Sequence, residues 1–165
     1  MNEVIREANE HDADRLTAYL IDLAAQPDSM LHLQTGALAN AQDQAAAWIQ
    51  GDGLLLVVET QGEIVGLLRG QGSDEVWTRH AVTFSLSLRK DVRDTGIGAE
   101  CIRRGLEWAR SRSYVRRVQL EVLTDQEETI RLYERLGFET EGWRLRAYYV
   151  NQRYVDTYLM AQQIA

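Results

Sequence analysis

The chain has 165 residues, 45% hydrophobic and 26% charged, and its 18 basic and 25 acidic residues give a net charge of −7. These proportions are typical of one soluble domain and exclude a disordered, fibrous or repeat protein. No apolar run approaches the roughly 20 residues that span a bilayer, and the negative charge disfavours nucleic-acid binding. We therefore expect no membrane and no nucleic-acid partner. Cys101 is the only cysteine, so we expect no intrachain disulfide and a cytoplasmic protein.

Charge is divided unequally along the chain. Residues 1–75 hold thirteen acids and three bases, whereas residues 76–165 hold fifteen bases and twelve acids. An acidic segment can attract a cation and a basic segment an anion, although two ordinary solvated surfaces would give the same division.

The first half of the chain predicts strands mixed with helices. Three apolar runs have the composition of strands: 3–8, 54–60 and 63–68. Two segments are typical of helices: one from a cap at Asn9 or Asp12 to about Ala25, and one over 37–50. Gln61 and Gly62 separate the second and third strands, which indicates a hairpin.

The second half begins with a strand over 81–88 whose side chains alternate in character. Its apolar members are Val82, Phe84, Leu86 and Leu88, and its polar members are Thr83, Ser85 and Ser87. Helices are predicted from Gly98 to about Arg112 and over 126–136, and strands over 118–122, 138–149 and 153–161. We therefore predict a single α/β (α+β) domain over 1–165, with a mixed, mostly antiparallel sheet of six or seven strands and about four helices.

A glycine-containing loop precedes the helix that begins near Gly98. Gly96 and Gly98 leave backbone N–H groups uncovered at the positive end of the helix dipole, which favours a phosphate or pyrophosphate. The loop lacks the Gly-Lys-Ser/Thr of nucleotide-binding phosphate loops, and Cys101 stands where a dinucleotide fingerprint has its third glycine. Such glycines can also serve only to form a turn.

The sequence Arg-Asp-Thr-Gly-Ile-Gly at 93–98 resembles the Arg/Gln-x-x-Gly-x-Gly/Ala motif of the GNAT superfamily of acyl-CoA-dependent N-acetyltransferases. Further segments follow in that family's order and spacing: 86–88, 105–109, 120–122, 130–138 and 154–160. The last of these is similar to the final strand of amino-acid and ribosomal-protein acetyltransferases. The resemblance covers about 80–160. It implies acceptor-side elements in about 1–75, an acetyl-CoA-binding core in about 80–138 and C-terminal strands over 138–161.

This resemblance implies acetyl-CoA as co-substrate, no metal, and a set of cofactor-binding residues. In the family the loop binds the pyrophosphate, which assigns that role to Arg93, Asp94, Thr95, Gly96, Ile97, Gly98 and Ala99. The preceding strand pairs with the pantetheine amides, which assigns that role to Leu86, Ser87 and Leu88. A backbone N–H near Leu86 is then expected to stabilise the oxyanion. Gln126 replaces the family's usual Asn, and Arg135 is the first candidate for the 3′-phosphate.

The resemblance also implies the catalytic residues. Tyr133 matches the tyrosine that protonates the departing thiolate, although a tyrosine between leucines also packs well. Related members often have an acid three residues after a histidine matching His80, but here that position is Thr83. Two replacements remain for the general base: His80, since imidazole titrates near neutrality, and Glu121 on the next strand. Without a catalytic role, His80 would be a strand-edge histidine hydrogen-bonded to the backbone, and Glu121 would be a solvated strand carboxylate.

Other conspicuous residues have simpler interpretations. Cys101 is expected to pack, and the histidines His11, His32 and His80 lack metal-ligand spacing. Three further arginines can meet the 3′-phosphate, although arginines on exposed helix faces are usually only solvated: Arg103, Arg104 and Arg131. Three tryptophans can line an acceptor pocket or simply pack: Trp48, Trp77 and Trp143.

The sequence therefore predicts an enzyme that transfers acetyl from acetyl-CoA to a primary amine by direct attack. The acceptor is a small molecule or peptide, and the acidic first half favours a cationic one; a homodimer is possible for a family member. A non-catalytic acyl-CoA sensor, or a regulatory protein that has lost its base, is the alternative. A nucleotide-binding phosphate loop is disfavoured by the missing lysine.

Overall fold

The computed structural model describes residues 2–26, 29–35 and 40–164, without the side chains of 32, 34 and 35. The strands are β1 (Val4–Glu7), β2 (Leu54–Thr60), β3 (Glu63–Gln71), β4 (Ala81–Leu88), β5 (Arg117–Leu123), β6 (Glu139–Val150) and β7 (Arg153–Gln163). The α-helices are α1 (Ala13–Ala24), α2 (Met30–Thr35), α3 (Ala41–Gln50), α4 (Ile97–Arg110) and α5 (Glu127–Arg135). Among these helices, none is long and apolar enough to cross a membrane.

The seven strands form one sheet in the order β1-β2-β3-β4-β5-β7-β6. The described neighbours pair antiparallel except β4 and β5, which run parallel. The loop and α4 between β4 and β5 supply the crossover that a parallel pair requires. The predicted mixed, mostly antiparallel sheet is therefore confirmed.

Each face of the sheet buries its own core. On one face, α4 packs Cys101, Ile102 and Leu106 against Val82 and Phe84 of β4. On the other face the buried residues come from three helices and two strands, among them Leu16, Leu20, Leu31, Trp48, Val57 and Leu67. Neighbouring side chains of β4 point to opposite faces, so the same strand contributes to both layers.

Several details differ from the sequence-based expectation. Helix α2 and a short 3₁₀ turn at Lys90–Val92 were not predicted, because neither has a full amphipathic repeat. The second predicted helix begins at Ala41, and its expected start at 37–39 lies outside the described residues. On the polar face of β4, Ser87 is buried rather than solvated, since α1 covers it.

A cluster of charges holds the first strand against the start of α1. Asp12 is fully buried and accepts hydrogen bonds from two nitrogens of Arg6 at 2.8 and 2.7 Å. Arg6 also pairs with Glu59 on β2, and Arg15 pairs with both acids. The hydrogen bonds from Arg6 lower the pKa of Asp12 from 3.8 to about 2.

Replacing Asp12 by Asn should destabilise the fold by about 2 kcal/mol near neutral pH, because both arginines lose a buried charged partner. Because the folded-state pKa is depressed, this contribution is fully present above about 3.8 and is lost as the pH falls towards about 2. Urea unfolding should therefore show a gap in stability between wild type and variant that narrows between about pH 4 and pH 2. Asp14→Asn, at an exposed position two residues away, is the control and should show no comparable gap.

Candidate active site

The parallel ladder between β4 and β5 is only three residues long. It pairs Ala81, Val82 and Thr83 with Arg117, Val118 and Gln119, and then ends. Both strands continue beyond this point, to Leu88 and Leu123. The rest of β4 is paired on its β3 side alone, up to Leu88 opposite Gly66. The middle of the sheet therefore contains a gap with a free strand edge.

The backbone groups of β4 that face this gap can be identified because successive residues of a strand direct their N–H and C=O groups to alternate sides. The carbonyl of His80 accepts hydrogen bonds from Arg116 and Arg117 at the start of β5, whereas the N–H of Arg89 donates to Val65 of β3. Even-numbered residues of β4 therefore direct their backbone groups towards β5, and odd-numbered residues direct theirs towards β3. The N–H groups of Leu86 and Leu88 consequently point into the gap, where no strand of the described chain pairs with them.

The loop that leads into α4 lies at one end of the gap and presents backbone N–H donors. Gly96 caps α4 with a left-handed φ of 86° and offers no side chain to cover the helix start. Since the N–H of Glu100 is the first to bond within the helix, donating to Gly96, the three preceding amides remain available. The loop itself is braced: the Thr95 hydroxyl donates to Val92 at 2.7 Å, and Arg93 Nε donates to Leu88 at 3.0 Å.

Gly98 lies where this loop meets both sides of the gap. A Cβ at this position would lie 3.3 Å from Leu88, 3.5 Å from Leu86 and 3.6 Å from Leu132 of α5. The helix start thus contacts the free strand edge and the helix that carries Tyr133. This contact brings the predicted cofactor residues of β4 and the loop together, next to α5.

Tyr133 is buried, with its ring 5.8 Å from that of Phe138. Burial raises the pKa of its hydroxyl well above the ordinary value, so the group remains protonated. The hydroxyl makes no hydrogen bond with any described residue. A buried phenol without a partner is available as a proton donor to a bound molecule.

Glu121 lies on β5 at the level of the gap. Because Thr83 pairs with Gln119, Glu121 lies two residues beyond the last paired residue of β5, which by register is the level of Ser85 on β4. Its side chain is only 10% exposed, and Oε1 accepts hydrogen bonds from Arg144 at 2.7 Å and Thr157 at 2.6 Å. Among the described residues, Oε2 accepts a hydrogen bond from the Tyr148 hydroxyl alone, at 3.4 Å. The carboxylate is therefore ion-paired rather than simply solvated.

His80 is exposed just before β4 and lies far from the gap. Six residues of extended strand separate it from Leu86, a span of about 20 Å. Between them, Thr83 accepts a hydrogen bond from Gln119 at 3.0 Å, and Gln119 accepts one from Arg117 at 2.9 Å. The geometry therefore places Glu121, and not His80, beside the gap.

A polar cleft of about 560 Å³ lies on the α1 side of the sheet. Its lining includes the β4 residues Thr83 and Ser85, the β5 residues Arg117 and Gln119, and Arg69 of β3. At the end of β4, the Tyr19 hydroxyl and Ser87 Oγ are 2.6 Å apart and buried under α1. Burial raises the pKa of Tyr19 to about 12, so this bond joins two neutral hydroxyls. Ser85 is the last residue of β4 in the lining, and His80 also lines the cleft, just before the start of β4.

The remaining predicted residues are placed as follows. Arg135 is exposed and has no ion pair within the described chain, whereas three other candidate arginines pair with acids on their own helices: Arg103, Arg104 and Arg131. Gln126 immediately precedes α5, and its side chain does not cap the helix. Burial raises the pKa of Cys101 to about 12, which keeps the thiol protonated and supports its packing role. The described His, Cys, Asp and Glu side chains form no metal-binding group.

Sequence reasoning missed two features of this site. Arg69 joins the cleft because its strand neighbours β4, and Tyr19 reaches Ser87 from 68 residues away. Both depend on long-range packing, and no local sequence pattern signals either of them. Of the three tryptophans considered, Trp48 is buried under Arg69, whereas Trp77 and Trp143 are exposed.

Comparison with known proteins identifies the family of this chain. The model of the acetyltransferase (GNAT) family matches residues 17–138. L-amino acid N-acetyltransferase AaaT of Escherichia coli is 28% identical over 107 residues, which cover 65% of this chain and 66% of that protein, slightly less than two thirds of its length.

Solved structures also share the fold. An acetyltransferase of the GNAT family from Streptococcus pneumoniae has a TM-score of 0.86 and 25% identity, covering 99% of this chain and all of that one. A GNAT superfamily phosphinothricin acetyltransferase from Sinorhizobium meliloti, in complex with acetyl-CoA, has a TM-score of 0.84 and 17% identity, covering 100% of this chain and 90% of that one.

The family match extends over most of the chain and includes the gap, the loop and α5. It confirms the resemblance found in the sequence, and with it the fold class. The chain belongs to the acetyltransferase (GNAT) family.

Proposed function

We propose that this chain transfers the acetyl group of acetyl-CoA to a primary amine, with the gap between β4 and β5 as the site of transfer. The observation that carries the proposal is the free edge of β4 beside the uncapped start of α4. An extended chain with amide groups can pair with such an edge, and a pyrophosphate can bind such a helix start. Coenzyme A contains both.

The cofactor residues follow from this fit. The loop from Arg93 to Ala99 binds the pyrophosphate through its backbone amides, and the edge of β4 from Leu86 to Leu88 pairs with the pantetheine arm. Gln126 lies at the start of α5, where its uncommitted side-chain amide can reach the cofactor. Arg135 is the unpaired cation assigned to the 3′-phosphate. Acetyl-CoA supplies a thioester whose carbonyl carbon accepts the amine.

The chain's own groups then serve the transfer. A C–N bond forms as the C–S bond breaks, so the amine nitrogen must lose a proton and the leaving sulfur must gain one. The N–H of Leu86 donates to the carbonyl oxygen while that oxygen gains negative charge. The hydroxyl of Tyr133 donates a proton to the thiolate. These two donors lie on β4 and α5, which both approach the start of α4 at Gly98.

Glu121 is the better placed of the two candidate bases. It lies level with Ser85, whereas His80 lies about 20 Å from Leu86, too far for a hydrogen bond. Arg144 and Thr157 occupy Oε1, so Oε2 receives the proton, directly or through one water molecule. The Tyr148 hydroxyl also donates a hydrogen bond to this oxygen, at 3.4 Å.

The acceptor class is also part of the proposal. The similar Escherichia coli protein acts on L-amino acids by its name, and we propose an amino acid for this chain as well. The cleft does not support the cationic acceptor that the charge division favours, since its lining includes Arg69 and Arg117 but no carboxylate. Asp74 and Glu75 are exposed on the bordering loop, where they can attract an ammonium group at the entrance.

One observation favours a second function. Arg144 and Thr157 already engage one oxygen of Glu121, as expected of a protein that binds acyl-CoA without transferring the acyl group. Such a sensor would bind acetyl-CoA and release no thiol with any amine. The unpartnered Tyr133 hydroxyl favours the enzyme instead.

We further propose that the protein is a cytoplasmic homodimer. Exposed apolar side chains on the β6–β7 hairpin support an interface: Trp143, Leu145, Tyr149, Tyr154 and Leu159. The single cysteine is buried as a free thiol, in keeping with a reducing compartment.

Gly96→Ala should weaken coenzyme A binding by about tenfold or more, because a side chain disfavours the left-handed backbone that aims the loop amides. Titration calorimetry measures the affinity. Gly62→Ala is a matched control, since Gly62 has a φ of 79° in the β2–β3 turn and open space around it. Both variants should lose about 1 kcal/mol of stability, and only Gly96→Ala should lose affinity. If Gly96→Ala and Gly62→Ala bound coenzyme A with equal affinity, the loop would be rejected as the pyrophosphate site.

Glu121→Gln should lower kcat by about 100-fold or more, because the amide cannot accept the proton of the amine. His80→Ala should stay within about twofold of wild type, with an unchanged pH–rate profile. Steady-state thiol release and acetyl-CoA affinity are the measurements. If His80→Ala removed the acidic limb of the profile while Glu121→Gln kept full turnover, the base would be His80.

Tyr133→Phe should lower the turnover of acetyl-CoA by about 100-fold while leaving its affinity nearly unchanged, because phenylalanine keeps the packing on Phe138 and removes only the donor. Thiol release with saturating acceptor measures turnover, and calorimetry measures affinity. Unchanged turnover would show that Tyr133 only packs.

A further inference from the structure

Arg69 is a half-buried cation without an anionic partner. It lies on β3 opposite Ser85 of β4 and lines the cleft on the α1 side of the sheet. Its guanidinium makes no hydrogen bond or ion pair with any described residue. Burial lowers the pKa of Arg69, which records the cost of holding this charge away from water. Partly buried charges usually have a partner, so a missing one suggests that a ligand supplies it.

The Trp48 ring of α3 positions this cation. The guanidinium carbon of Arg69 lies 4.5 Å from the ring centroid, and the ring is itself buried in the core. Stacking on an aromatic face fixes the plane of the guanidinium while leaving its N–H edge available for hydrogen bonds. A fixed, planar donor edge is suited to the two oxygens of a carboxylate.

The other arginine of the cleft is already neutralised. Arg117 donates to Gln119 and to both oxygens of Glu141. The same pairing holds the pKa of Glu141 below its usual value, so the carboxylate remains charged. Arg69 is consequently the lining arginine whose charge is uncompensated within the described chain.

We propose that Arg69, stacked on Trp48, binds the carboxylate of the acceptor amine. The inference rests on the proposed acetyl transfer and adds to it the residue that selects the acceptor. Arg69 lies opposite Ser85, adjacent in sequence to Leu86, whose N–H faces the reacting gap. In an α-amino acid a single carbon separates the amine from the carboxylate carbon. An anchor close to the thioester is therefore what such an acceptor requires.

Matched acceptor pairs test the proposal. Free L-amino acids and the corresponding L-amino acid amides carry the same amine, and only the acids carry the anion. With saturating acetyl-CoA, wild type should prefer the acids, and Arg69→Gln should lower kcat/KM for them by about 30-fold with little change for the amides. Arg69→Lys keeps a charge without the planar fork and should lose less, about three- to tenfold.

Arg112→Gln is the matched control. The Arg112 guanidinium stacks on Trp108 at 4.6 Å, a similar arginine–tryptophan pair outside the cleft lining. This variant should keep the wild-type preference for acids, and thermal unfolding compares its stability with that of Arg69→Gln. If both variants lost the preference for acids, the effect of Arg69→Gln would be one on stability and not on acceptor binding.

The outcomes separate this inference from the proposed function. Equal use of acids and amides by wild type, or an equal effect of Arg69→Gln on both, would overturn the role of Arg69 and leave acetyl transfer intact. Absence of thiol release with every amine would overturn acetyl transfer. Calorimetric binding of the free amino acids to the CoA-loaded protein then decides the role of Arg69. Binding lost in Arg69→Gln and kept in Arg112→Gln supports it; binding that is absent or unchanged overturns it.

Discussion

The short parallel contact between β4 and β5 determines the rest of the architecture. A parallel pair needs a crossover, and this crossover contains the loop and α4. Since the ladder ends after Thr83 and Gln119, the edge of β4 remains unpaired at the point where α4 begins. The sheet thereby places a free strand edge and a helix start at one gap, next to the helix that carries the buried Tyr133.

The two faces of the sheet make different contributions to this gap. The face covered by α4 and α5 is apolar around Tyr133, which keeps that phenol protonated. The opposite face carries charged side chains, and the role of each depends on whether it has a partner of opposite charge. Glu121 is restrained by Arg144, whereas Arg117 is neutralised by Glu141. Arg69, supported by Trp48, keeps an uncompensated charge.

The strands, the hairpin and the glycine loop could be predicted from the sequence, because alternation and turn residues are local signals. The choice between His80 and Glu121 could not, since it depends on the β4–β5 register and on the length of strand between His80 and the gap. Arg69 was overlooked for a similar reason: its role requires Trp48, 21 residues earlier in the chain. The charge division likewise gave no indication of which arginines are neutralised.

Residue-resolved amide hydrogen exchange, with and without coenzyme A, tests most directly whether the cofactor occupies the gap. The amides of Leu86 and Leu88 face β5 and should gain at least about tenfold protection on binding. The amides of Ser85 and Ser87 already face β3 and should change far less, which provides a control within the same strand. Tight binding of coenzyme A without added protection at Leu86 and Leu88 would contradict the proposal that this edge holds the pantetheine arm.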